Sequence, residues 1–101
     1  MRRWYSECVR HFLAFYVSTL EVGTCPKFRT TSEKINWMAC DAVVKTLDPQ
    51  DQTLVRELYR QGDTMADKIF QIAKDRKSSQ GHLWNLVDDL EQKIAKERGL
   101  L

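Results

Sequence analysis

Few pairings in this sequence have the residue types and spacing that chemistry requires. Cys8 and His11 stand three apart, which brings two side chains to one helix face and can begin a metal site. Two ligands are too few to hold an ion, and the other histidine, His82, lies far along the chain, so packing is the expected role. Asp88 and Asp89 look like paired carboxylates. Neighbours on a helix point about 100° apart, however, and do not converge on one substrate. No nucleophile with a matching base, glycine-rich phosphate loop or metal triad is present. The sequence therefore predicts no catalytic residues, no metal and no cofactor. What remains is a basic cluster, Lys74, Arg76 and Lys77. It can approach phosphates, or it can be the solvated end of a helix, where cations are locally favoured.

The elements that hold these residues follow from composition and period. With 101 residues there is room for one domain and one modest core. A hydrophobic share of 43% excludes disorder, and 4 Gly with 2 Pro favour long helices over a many-turned β fold. The net charge of +2 neither demands nor excludes a nucleic-acid partner. Cys8, Cys25 and Cys40 include no Cys-x-x-Cys pair, and an odd count argues against a secreted disulfide framework. The stretch from Phe12 to Leu20 is amphipathic and lacks a small-residue cleavage site. No apolar run is long enough for a membrane span. A cytoplasmic protein without membrane contact is expected.

The first helix is predicted over about 2–20. One stripe carries Trp4, Cys8, Phe12 and Phe15; beside it run Tyr5, Val9, Leu13 and Tyr16. The Trp4/Phe12/Phe15 stripe is read as core, with the excess aromatic surface left for a partner or a second copy. Val22 to Pro26 breaks the helix. Ser32 to Leu47 forms the second, with Ile35, Ala39, Ala42 and Val43 inward and Trp37, Cys40, Val44 and Leu47 widening that face. Asp48-Pro49-Gln50-Asp51 opens the third, whose stripe is Leu54, Val55, Leu58 and Tyr59, and Gln61-Gly62-Asp63 closes it. Thr64 caps the fourth, with Ile69, Ile72 and Ala73 inward, joined by Met65 and Phe70. The fifth, about 80–98, is capped by Ser79 and carries Leu83, Leu86, Val87, Leu90 and Ile94 at core spacing. Gly99 ends it.

The last two helices, joined by a short capped turn, have a helix-turn-helix pattern. Ile72-Ala73, five residues, then Ser79-Gln80-Gly81-His82-Leu83 resembles, without a gap, the helix-turn-helix of the fourth region of bacterial sigma factors. Leu47-Asp48-Pro49-Gln50-Asp51 is similar to the opening of that region's preceding helix, and the chain also resembles small sigma-like regulators of phages and mobile elements. The resemblance covers about residues 47–101. Where that family's turn reads leucine-glycine-isoleucine, this one reads Arg76-Lys77-Ser78. The resemblance implies insertion of the last helix into the major groove, with Gln80, His82 and Asn85 reading bases, Gly81 among them and Trp84 flanking. Lys74, Arg76 and Lys77 would meet phosphates. Asp88, Asp89 and Glu91 share that helix, and carboxylates facing phosphates are repelled.

The expected fold is all-α: a five-helix orthogonal bundle with a C-terminal helix-turn-helix, in one domain over 1–101. Within it, 1–46 form an N-terminal helical pair and 47–101 the helix-turn-helix unit. The expected partner is duplex DNA, with RNA polymerase and a homodimer as further partners. The alternative is a protein-protein interaction module, bound to RNA polymerase or a phage component through Trp4, Phe12, Phe15 and Trp84, without DNA contact. Exposure discriminates. DNA binding needs Gln80, His82 and Asn85 outward beside the basic cluster; the alternative leaves that face occluded or acidic.

Overall fold

Three helices begin where a side-chain hydroxyl accepts a free N–H, and another begins at a proline, which has none to satisfy. The computed structural model describes residues 3–23, 26–60 and 62–101. Helix α1 spans Ser6–Val22, α2 Thr31–Val44, α3 Pro49–Leu58, α4 Met65–Arg76 and α5 Gln80–Arg98. Thr30 accepts the Glu33 N–H at the start of α2, Thr64 the Asp67 N–H at α4, and Ser79 the His82 N–H at α5. Pro49 occupies the first turn of α3, but the Asp48 carboxylate caps nothing. Gln52 instead donates to the Leu47 carbonyl at 2.9 Å. The expected break at Val22–Pro26 and the stop at Gln61-Gly62-Asp63 include Thr24, Cys25 and Gln61, which lie outside the described residues, as does the Arg2 start expected for the first helix.

All five helices are present, and no strand occurs among the described residues. The radius of gyration is 13.2 Å, close to the ~13 Å expected for a compact chain of this length. The long α5 packs against α2, α1 and α4; α1 also packs on α2, and α3 on α4. On α3 the expected stripe is the buried one: Leu54, Val55, Leu58 and Tyr59. On α5, Leu83, Val87, Leu90 and Ile94 are buried, and Ala95 joins them.

The first two helices are rotated from the expected orientation. On α1 and its N-cap the buried line is Tyr5, Val9, Leu13, Tyr16 and Val17, while Trp4 is 71% exposed and Cys8 lies at the surface. Phe12 and Phe15 flank the core, half-buried. Slender Val and Leu side chains let the helix axes approach, whereas a row of Trp and Phe would hold them apart. On α2 the core takes Ala39, Cys40, Val43 and Val44, leaving Ile35 and Ala42 exposed. Two hydrogen bonds to α1 fix this rotation. The Trp37 indole N–H donates to Thr19 Oγ1 and the Tyr16 hydroxyl donates to Asp41 Oδ1, both at 2.8 Å. A buried phenol or half-buried indole N–H is costly to leave without such a partner, and aliphatic Ile35 does not compete for it. On α4, Ile69 and Ala73 are buried, Ile72 and Met65 half-buried, and Phe70, expected inward, is 56% exposed.

Candidate functional site

Three residues, 77–79, connect α4 to α5. Lys77 closes α4 in the left-handed conformation, φ 54°, and the Ser78 N–H returns to the Ala73 carbonyl at 2.9 Å. Ile69 and Ala73 of α4 are buried in one core cluster with Leu83 and Val87 of α5. The small Ala73 side chain permits the close approach. Outside this junction lies a shallow open depression floored by Ala73 and Gly81, with Phe70 and Lys74 on the α4 side and Ser79 and Gln80 on the α5 side.

Gln80, His82 and Asn85 are all exposed, as are Gly81, Lys74 and Lys77. His82 and Asn85 lie opposite the buried Leu83/Val87 line, and Gln80 stands at the open helix end. Arg76 differs from the two lysines. Its Nη2 sits 2.9 and 3.0 Å from the two carboxylate oxygens of Glu57 on α3, so it ties α4 to α3. Asp75 is exposed within the same cluster and accepts a hydrogen bond from Gln71.

Asp88, Asp89 and Glu91 of α5 part company. Asp89 follows Asn85 by one turn on the exposed face and pairs with Lys93 at 2.9 Å. Asp88 is half-buried. Glu91 is 1% exposed: it points into the core, away from any ligand on the outer face. Arg10 Nε of α1 donates to Glu91 Oε2 at 2.8 Å, and the hydroxyl of Tyr59, which follows α3, donates to the same oxygen at 2.9 Å. Burial, together with the charge and hydrogen bond of Glu91, pushes the Tyr59 hydroxyl well above its ordinary pKa. Glu91 Oε1 and the Tyr5 hydroxyl are buried without a hydrogen-bond partner among the described residues. A signal for Glu91 was present in the period: it is four residues beyond Val87 and three before Ile94, within the apolar stripe.

The four aromatic partner candidates do not form one patch. Trp4 meets Tyr5 edge-on, centroids 5.6 Å apart, and is exposed. Phe12 and Trp84 pack against the core. Phe15 joins a chain of rings: Phe28 lies 6.3 Å from Phe15 and 6.1 Å from Trp37, which lies 5.2 Å from Tyr16. The exposed apolar side chains the sequence reading missed are Val22, Ile35, Met38, Phe70 and Leu101.

Cys8 and His11 are both exposed, and no group of three or more potential metal ligands occurs among the described residues. Cys40 is buried as a thiol, its pKa pushed up from 9.0 to about 12 by burial and then by Asp41. No helix among the described residues is long and apolar enough to cross a membrane.

Comparison with protein-family models, curated proteins and solved structures gives no match.

Proposed function

We propose that the chain is a non-catalytic DNA-binding transcription regulator of the sigma-region-four-like kind, similar to those of phages and mobile elements. In this reading α4 and α5 are the helix-turn-helix, and the start of α5 enters the major groove. Gln80, His82 and Asn85 read base edges while Lys74 and Lys77 meet phosphates. The observation that carries the reading is the shared exposure of these five residues around one short junction. Two further facts support it. Lys77 adopts the left-handed conformation at the turn position where the resembled family has glycine. Glu91, which would repel phosphate from the outer face, is buried.

Titration of labelled duplex fragments from the gene's own neighbourhood, at low and moderate salt, tests the proposal. Binding should weaken steeply with salt and be lost in a Lys74/Arg76/Lys77→Ala variant. Absence of binding at low salt would overturn it for the isolated protein.

A second reading rests on the exposed apolar residues Trp4, Ile35 and Met38, surface that a protein partner would cover. A pull-down that depends on Trp4 and leaves DNA unbound would favour that interaction module.

A further inference from the structure

A second cleft lies away from the α4–α5 junction, where α1 meets the turn leading into α4. Its volume is about 330 Å³, and like the depression at the α4–α5 junction it is largely open to solvent. Four nitrogen-bearing side chains converge on it from three parts of the chain: Arg10 and His11 from α1, Arg60 from the end of α3, and Lys68 from α4.

Two of these guanidiniums are held from behind. Glu91 takes Arg10 through Nε at 2.8 Å, and Glu21 takes Arg60 through Nε at 2.7 Å. The terminal Nη groups of both arginines have no hydrogen-bond partner among the described residues. A guanidinium fixed through Nε presents its Nη edge in a set direction, the arrangement that favours recognition of a tetrahedral oxyanion. Lys68 donates to the Arg60 carbonyl. Its ammonium is partly desolvated and stands beside the Arg60 charge, which together lower its pKa despite Asp63. An anion in the cleft would relieve that penalty. Glu7 and Asp63 also line the cleft, so it is not uniformly basic. Both carboxylates would repel a bare polyanion, and that of Asp63 can accept hydrogen bonds from hydroxyl groups.

From this placement we infer that the cleft between α1 and the α3–α4 turn is a binding site for a small phosphate monoester bearing hydroxyl groups. The phosphate lies against Arg10, Arg60 and Lys68, and the hydroxyls face Asp63. The inference is independent of the DNA reading, because none of these residues belongs to the α4–α5 junction.

The test is calorimetric titration of the full chain with glycerol phosphate, inorganic phosphate and, as control, glycerol. One saturable site is expected for both phosphates, tighter for the ester, with no heat from glycerol. Arg60→Gln combined with Lys68→Gln should weaken both phosphates by at least about tenfold. Circular dichroism would verify that the variant is folded, since Arg60 is exposed but Lys68 is half-buried. Three outcomes overturn the inference: no saturable binding to wild type, undiminished binding to the folded double variant, or loss of binding in Lys74→Gln/Lys77→Gln instead, which would move the phosphate to the other junction.

Discussion

Arg76 Nη2 lies within 3.0 Å of both carboxylate oxygens of Glu57, so one member of the basic cluster is engaged in joining α4 to α3. The pair is half-exposed, and its contribution to stability should be small. A double-mutant cycle with Arg76→Ala and Glu57→Ala should give a coupling of about 0.2–1 kcal/mol. A coupling near zero in urea titrations would mean the contact is not maintained in solution.

Lys74 and Lys77 have no such partner among the described residues, and they should carry the phosphate contacts of the proposed DNA complex. Each Lys→Ala change should lower the slope of log K against log salt by about 1. Arg76→Ala should lower it less than either lysine does. Equal slopes for all three variants would show that Arg76 leaves Glu57 when DNA binds.

At Lys77, folding and binding should respond in opposite senses. A non-glycine residue at φ 54° carries backbone strain of about 1 kcal/mol, which glycine relieves. Lys77→Gly should therefore raise the melting temperature by a few degrees while weakening DNA. Ser79→Ala removes the cap of α5 and should cost about 1 kcal/mol. Thermal melts of the two variants check both signs.

Glu91 should matter more than any surface ion pair. Glu91→Leu strands the buried Tyr59 hydroxyl and removes the anchor of Arg10, at a cost of about 3 kcal/mol. Combining it with Arg10→Met and Tyr59→Phe replaces the whole network by apolar groups and should recover much of that loss. Failure of the triple variant to recover would show that the site is too constrained to repack.

Alkaline pH should destabilise the fold. Cys40 and Tyr59 are held protonated inside, with Cys40 raised from 9.0 to about 12 and Tyr59 raised above its ordinary 10.0. The unfolded chain then binds fewer protons than the folded one, so stability falls as pH rises. The contribution from Cys40 is complete below pH 9 and disappears as pH climbs through about 12; that from Tyr59 begins to fall near pH 10. Unfolding measured from pH 8 upward should show this decline, and Cys40→Ala should flatten its first part.

The second half of the chain was more legible than the first. On α3 and α5 one dominant apolar stripe is bounded by polar residues, so period alone located the core face and Ser79 the start of α5. On α1 two adjacent aromatic-rich stripes compete, and period cannot choose between Trp4/Phe12/Phe15 and Tyr5/Val9/Leu13. The choice is made across the helix pair, by Tyr16 with Asp41 and Trp37 with Thr19, contacts separated by 25 and 18 residues. Glu91 was misread because its charge was weighed and its place in the stripe was not. Gln80, His82 and Asn85 were singled out through the resemblance, and their exposure is a finding of the fold. The Arg76–Glu57 pairing was not legible, because it depends on how α3 crosses α4.

The three tryptophans give the molecule built-in optical reporters. Trp4 stands in solvent at the N-terminal end, 71% exposed, and should be quenched readily by iodide. Trp37 sits among Tyr16 and Phe28 with its indole N–H bonded to Thr19, shielded on several sides. Trp84 is half-buried on α5 beside Asn85. With the other two replaced by phenylalanine, Trp84 emission would follow events at the first turns of α5, and Trp37 emission would follow separation of α1 from α2. Occupancy of one end of the molecule and loosening of the other could thus be observed separately, with no attached dye.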